Sequence, residues 1–179
     1  MGSVKPPSWY DDYYTTAPET KLSWRETTWR PLYEWALTKV VPSDFVLGLG
    51  CGCGPFAQAL HDIRVTRYHG FDFSAVAIAE ARRRCPEYLF TCADILDCSL
   101  PVCYTVAVAI EVLEHIEGDV IGRLDSGVRF VGSLPTFDCA QHVFHCETEG
   151  QVRDAVESRL TELHIQRIES WWGFTGKVR

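Results

Sequence analysis

Phe45-Val46-Leu47-Gly48-Leu49-Gly50-Cys51-Gly52-Cys53-Gly54 is the stretch that decides the fold. Its opening residues are apolar, as in a strand covered on both faces, and glycine then recurs at every second position. This spacing predicts a buried strand running into a turn whose main chain lies open to a ligand, because a side chain there would take the ligand's place. The dinucleotide fingerprint G-x-G-x-x-G does not fit: a match begun at Gly48 puts Cys53 at the last glycine, and one begun at Gly50 puts Pro55 there. Nicotinamide and flavin dinucleotides are disfavoured on that ground. No Gly-Lys-Ser/Thr follows, so the turn is not a P-loop.

Downstream, Tyr68-His69-Gly70-Phe71-Asp72-Phe73-Ser74 predicts a second strand ending in an acid. Ser74 is then the N-cap of a helix containing Val76, Ile78, Ala79 and Ala81. Asp72 has the spacing of a carboxylate that takes both ribose hydroxyls of a nucleotide, although alone it reads equally well as a turn or cap residue. A third strand over 88–92 precedes Ala93-Asp94-Ile95. A fourth over 104–110 leads into Glu111-Val112-Leu113-Glu114-His115-Ile116.

In order and spacing, residues 44–135 resemble the class I S-adenosylmethionine-dependent methyltransferases. The alternating glycines resemble that family's first motif, usually an acid followed by x-G-x-G-x-G, and the Glu111 block resembles its fourth. Gly48 departs from the pattern, standing where the family's acid helps to order water and the donor's amino-acid moiety. The resemblance implies S-adenosyl-L-methionine as cofactor and S-adenosylhomocysteine as product. It assigns cofactor binding to Gly50, Cys51, Gly52, Gly54, Asp72, Phe73, Ser74, Asp94, Ile95 and Glu111, with Asp94 near the adenine amino group.

The expected architecture is a single-domain α/β fold, a Rossmann-like doubly wound sheet that is mostly parallel with an antiparallel C-terminal strand and short crossovers. Residues 1–43 form an aromatic-rich lid and helical segment, and residues 44–179 the S-adenosylmethionine-binding domain. Within the first segment, Trp29, Leu32, Tyr33, Ala36, Leu37 and Val40 keep helical spacing, with Thr28 as cap and Pro31 in the first turn. Trp9-Tyr10-Asp11-Asp12-Tyr13-Tyr14 precedes a loop over 15–19 and is a candidate lid. Further elements are helices near 56–61, 119–124 and 149–160, and strands over 128–134, 164–170 and 174–178.

With 179 residues the chain can bury one core without staples. Its apolar content of 46% and charged content of 23% suit a soluble globular domain, and no apolar run reaches the length of a membrane span. The start, Met1-Gly2-Ser3-Val4-Lys5-Pro6-Pro7, has no hydrophobic signal region, so the expected location is cytoplasmic. A net charge of −7 opposes attraction to a polyanion and argues against duplex nucleic acid as partner. Eight cysteines in a core-rich chain read as reduced thiols. Cys139-x-x-His142-x-x-His145-Cys146 holds ligand types for zinc, but adjacent His145 and Cys146 do not easily converge on one centre.

The expected activity is methyl transfer to an oxygen or nitrogen of a small molecule. No Asp/Asn-Pro-Pro-aromatic block follows the fourth strand, which disfavours the exocyclic amine of a base. Glu111, His115 and His142 are the catalytic candidates, because two carboxylates and two imidazoles would converge if Glu114 and His115 open a helix. A metal is not expected. The set that would hold a divalent ion, Glu111, Glu114, His115 and His142, resembles the metal site of ubiquinone-pathway O-methyltransferases and small-RNA 3′-end 2′-O-methyltransferases. Two alternatives stay open: metal-assisted 2′-O-methylation of a terminal RNA hydroxyl, and a noncatalytic cofactor-binding partner protein, suggested by Gly48. The short crossovers leave a cleft to be closed either by the aromatic lid or by a second subunit in a homodimer.

Overall fold

The computed structural model describes residues 3–179, so Met1 and Gly2 of the N-terminal stretch lie outside the described residues. One seven-stranded sheet, ordered β3-β2-β1-β4-β5-β7-β6, forms its centre. The strands are β1 (Phe45–Leu49), β2 (Arg67–Asp72), β3 (Leu89–Cys92), β4 (Val106–Ala109), β5 (Arg129–Pro135), β6 (Leu160–Ile168) and β7 (Trp171–Val178). The first five are parallel, while β7 inserts between β5 and β6 and runs antiparallel to both.

Alternation along β1 separates two apolar layers, since successive side chains of a strand point to opposite faces. Val46 joins a cluster with Leu32, Trp35, Phe56, Leu60 and Ile78, whereas Leu47 and Leu49 face Phe130, Phe174, Val152 and Val156. Helices α2 (Arg30–Leu37), α3 (Pro55–Asp62) and α4 (Ala75–Arg84) therefore cover one face, and α5 (Glu149–Val156) covers the other. Ser74 caps α4 as expected, accepting a bond from the Ala77 amide at 3.1 Å. The cap of α2 falls on Trp29, one residue after Thr28.

The crossovers are short. The chain between β3 and β4 has no helix, and the connection from β4 to β5 carries only two 3₁₀ turns, Leu113–His115 and Ile121–Arg123. The expected helix near 119–124 is thus one of these turns. Before the domain, α1 (Pro7–Thr16) contains the Trp9 to Tyr14 block and rests on the N-terminus of α4. Asp11 Oδ1 accepts bonds there from Ser74 Oγ at 2.6 Å and from the Val76 amide at 3.2 Å. All eight cysteines are free thiols.

Candidate active site

Strands β1, β2 and β4 deliver Gly50, Asp72 and Glu111 to one edge of the sheet, because each strand ends where an apolar run meets a polar or glycine residue. Gly50 (φ +58°) and Gly52 (φ +53°) turn the chain through the left-handed region. Space forbids a side chain as firmly as conformation does. A Cβ on Gly50 would lie 2.6 Å from Val112 Cγ2, and one on Gly52 would lie 2.7 Å from the Tyr14 hydroxyl. Gly54 and Ser74 line neither of the cavities described below; Gly54 packs α3 against Ala81, and Ser74 holds the start of α4.

Two cavities open beside this turn. The first, about 310 Å³, is lined by Asp72, Phe73, Asp94, Ile95, Leu96 and Val112. Asp72 is buried and accepts bonds from the Gly52 amide at 2.8 Å and the Ser74 amide at 2.9 Å, so it fixes the turn while facing the cavity. Burial pushes its carboxyl up to about 6, against the opposing pull of those backbone donors. The second cavity, about 360 Å³, runs past Cys51 and Gly52 to aromatic walls from Trp29, Phe137 and Trp171, with His142 beside them. Tyr10, Tyr14, Gly50, Glu111 and His115 line both cavities, so the two meet at these residues.

Glu111 is a non-glycine residue in the left-handed region, at φ +57°. The hydroxyl of buried Ser133 on β5 holds it there by accepting its amide at 2.9 Å. Such conformations cost on the order of 1–3 kcal/mol and cluster where a side chain must be aimed. Glu114 follows one 3₁₀ turn later, fully buried, with neither carboxylate oxygen reached by a donor. Burial first, and then the neighbouring Glu111 charge, drives its carboxyl well above the usual carboxylate range. Burial likewise lowers His115 to about 4 and lowers His142, so both imidazoles are neutral at pH 7.

Glu111, His115 and His142 line the same cavity. The ligand atoms of Glu114, His115 and His142 lie within 4.8 Å of one another. Cys139, His145 and Cys146 stay outside this group: His145 reaches toward Asp138 and Glu147, and Cys146 is buried with its amide on the Pro135 carbonyl. Sequence reasoning did not assign site roles to Trp29, Phe137 and Trp171, whose aromatic character reads as core.

Residues 46–128 match a family sequence model described as a methyltransferase domain. No curated protein is matched. Among solved structures, one similar chain comes from the complex between the Haloferax volcanii Trm112 methyltransferase activator and a methyltransferase. Its TM-score is 0.75 at 15% identity, covering 94% of this chain and 97% of that one. The N-methyltransferase NodS from Bradyrhizobium japonicum WM9, with S-adenosyl-L-homocysteine, gives 0.71 at 18% identity, covering 97% and 99%. The 1,6-didemethyltoxoflavin-N1-methyltransferase of Burkholderia thailandensis gives 0.71 at 16%, covering 99% and 92%. The fold is the Rossmann-like methyltransferase fold.

Proposed function

We propose that this chain, part of which matches a methyltransferase-domain model and whose fold is the Rossmann-like methyltransferase fold, is a class I S-adenosylmethionine-dependent methyltransferase that transfers a methyl group to an oxygen or nitrogen of a small-molecule acceptor. The observation that carries this reading is the pair of cavities meeting at Gly50, Glu111 and His115. A transfer enzyme needs two adjoining compartments with a common wall, and the reacting atoms belong at that wall.

S-adenosylmethionine fits the first compartment on the chain's own features. Asp72 offers carboxylate oxygens for a ribose diol, Phe73, Ile95, Leu96 and Val112 offer apolar surface for adenine, and Asp94 stands at the rim. The side-chain-free turn at Gly50 and Gly52 leaves room for the methionine end. When bound, the sulfonium supplies an electrophilic methyl group. The chain's own part is to hold the acceptor in line, keep water out and accept a hydrogen bond from the attacking group. Glu111 and His142 serve that last role from the floor of the second compartment, whose aromatic walls fit a small planar acceptor. No helix among the described residues is long and apolar enough to cross a membrane, and we place the protein in the cytoplasm.

Incubation with tritiated S-adenosylmethionine and a panel of phenols, alcohols, amines and short RNAs tests the reading. Label is expected in a small molecule. Labelling of RNA alone would overturn the small-molecule assignment, and failure to bind S-adenosylhomocysteine would overturn the donor.

A further inference from the structure

We propose that the acceptor of this site is an amine, bound as its ammonium ion with the nitrogen at the junction of the two cavities and its body against the aromatic walls of the second. For the transfer step, though not for binding the ammonium, this rests on the methyltransferase reading.

The polar side chains around the junction are mainly hydrogen-bond acceptors. Glu111 lines both cavities as a carboxylate. His115 Nδ1 lies 3.1 Å from the Gln141 carbonyl, and His142 Nδ1 lies 3.2 Å from the Phe137 carbonyl. A carbonyl only accepts, so each ring carries its proton on Nδ1 and leaves Nε2 as a lone pair. Tyr10 also lines both cavities, and its buried hydroxyl has no partner; it supplies a single hydrogen, and its oxygen can accept. Buried acceptors left unmet cost free energy until a donor reaches them. An ammonium brings several N–H groups and a positive charge to the same point.

The charge of the lining points the same way. Among the described residues that line the second cavity, Arg84 is the one fixed cation, and its guanidinium is engaged by the Thr20 carbonyl at 2.9 Å and the Leu22 carbonyl at 3.1 Å. An acceptor bearing a carboxylate or phosphate would meet Glu111 without a free cation to offset it. The walls attract cations instead. Phe137, 41% exposed, meets Trp171 at 76° with 6.2 Å between ring centroids, and Tyr10 meets His115 at 86° across a further 6.2 Å. Rings set nearly at right angles enclose a small cation from more than one side, and their faces equally suit a planar apolar body.

An amine also suits the movement of charge in the reaction. The ammonium gives one proton to solvent, and the neutral nitrogen uses its lone pair to bond the methyl carbon as the carbon–sulfur bond breaks. The sulfonium leaves as a neutral thioether, and the nitrogen takes up the positive charge. That charge develops beside Glu111 and the ring faces, where it is favoured. A hydroxyl acceptor would have to turn negative in the same place, which the like charge of Glu111 opposes.

Calorimetry on the full chain with benzylamine, an ammonium at pH 7, and benzyl alcohol, its neutral isostere, tests the inference. Benzylamine should bind at least about tenfold more tightly. Glu111→Gln should cut that preference to under about threefold by weakening benzylamine alone, whereas a merely structural role for Glu111 would weaken both ligands. Phe137→Leu, at an exposed position, should weaken both about threefold or more, which places them in this cavity should the Gln variant fold poorly. Equal binding of the two ligands by wild type, no binding of benzylamine at millimolar concentration, or unchanged binding of both by Phe137→Leu overturns the inference. With tritiated S-adenosylmethionine and matched amine and alcohol pairs, label is expected in the amine; label in the alcohol alone overturns it too. Loss of S-adenosylhomocysteine binding with the benzylamine preference intact would instead overturn the methyltransferase reading.

Discussion

Gly48 is occupied territory. A Cβ built there would lie 2.0 Å from the hydroxyl of Tyr68, which reaches across from β2 and is itself buried. The position at which the sequence resemblance leads one to expect an acid is therefore filled from the neighbouring strand, and an acid cannot simply be placed there. Gly48→Asp alone should destabilise the protein by about 3 kcal/mol, combining overpacking with a buried charge. Gly48→Asp with Tyr68→Val should recover much of that loss, and thermal melts of the two variants would show it. Asp72 gives a pH prediction. Its folded value of about 6 lies above the unfolded one, so its contribution to stability declines as pH rises from about 4 to about 6. Binding a ribose diol requires the carboxylate. S-adenosylhomocysteine affinity should then fall about tenfold per unit below pH 6, and Asp72→Asn should flatten that dependence in a calorimetric series. Gly50, Asp72 and Glu111 were legible in the sequence because each interrupts an apolar run at the end of a strand. Tyr68 was not, since a tyrosine inside a strand reads as core, and the isolation of Glu114 depends on a loop from elsewhere in the chain folding over it.

At the scale of elements, α1 is held by polar contacts rather than by an apolar stripe. None of its residues is fully buried, yet Tyr10 and Tyr14 line both cavities. Its register on the domain rests on Asp11, which takes the Ser74 hydroxyl and the Val76 amide at the N-terminus of α4, where a negative charge is favoured. Asp11→Ala should cost about 1 kcal/mol and release α1. Faster amide exchange over residues 7–16, with faster dissociation of S-adenosylhomocysteine, is the expected result; unchanged exchange would show that the aromatic contacts of Tyr10 suffice. The sequence reading recognised the aromatic block but left its secondary structure open, because helical periodicity is weak where neither face is buried. The same weakness misplaced β6, expected from 164 and found from Leu160. That strand lies at a sheet edge with alternate residues exposed, so its apolar signal is diluted. Strand β1, buried on both faces, begins at Phe45 as expected, and β4, expected over 104–110, spans Val106–Ala109.

For the whole molecule, the parallel half of the sheet builds the first cavity and the antiparallel half helps to close the second. Strands β1, β2 and β4 bring Gly50, Asp72 and Glu111 together, while β7 contributes Trp171 and the chain beyond β5 contributes Phe137 and His142. The lining of the first cavity was legible because its residues follow one another in the same order as the strands. The aromatic wall of the second cavity was not, because Trp29, Phe137 and Trp171 come from three segments that only the β5–β7 pairing and α2 bring together. This division makes ligand binding a property of the folded sheet as a unit, since an unfolded chain offers neither compartment. A ligand bound only by the folded state stabilises it by about 2.7 kcal/mol at a hundredfold excess over Kd. For a domain of this size that corresponds to a rise of about 5–10 °C in melting temperature. S-adenosylhomocysteine should produce it, and NADH should leave the melt unchanged, because the turn after β1 lacks the third glycine on which a dinucleotide pyrophosphate depends. A larger shift with NADH would mean that the side-chain-free turn cradles phosphate after all, and the assignment of the first cavity to S-adenosylmethionine would fail with it.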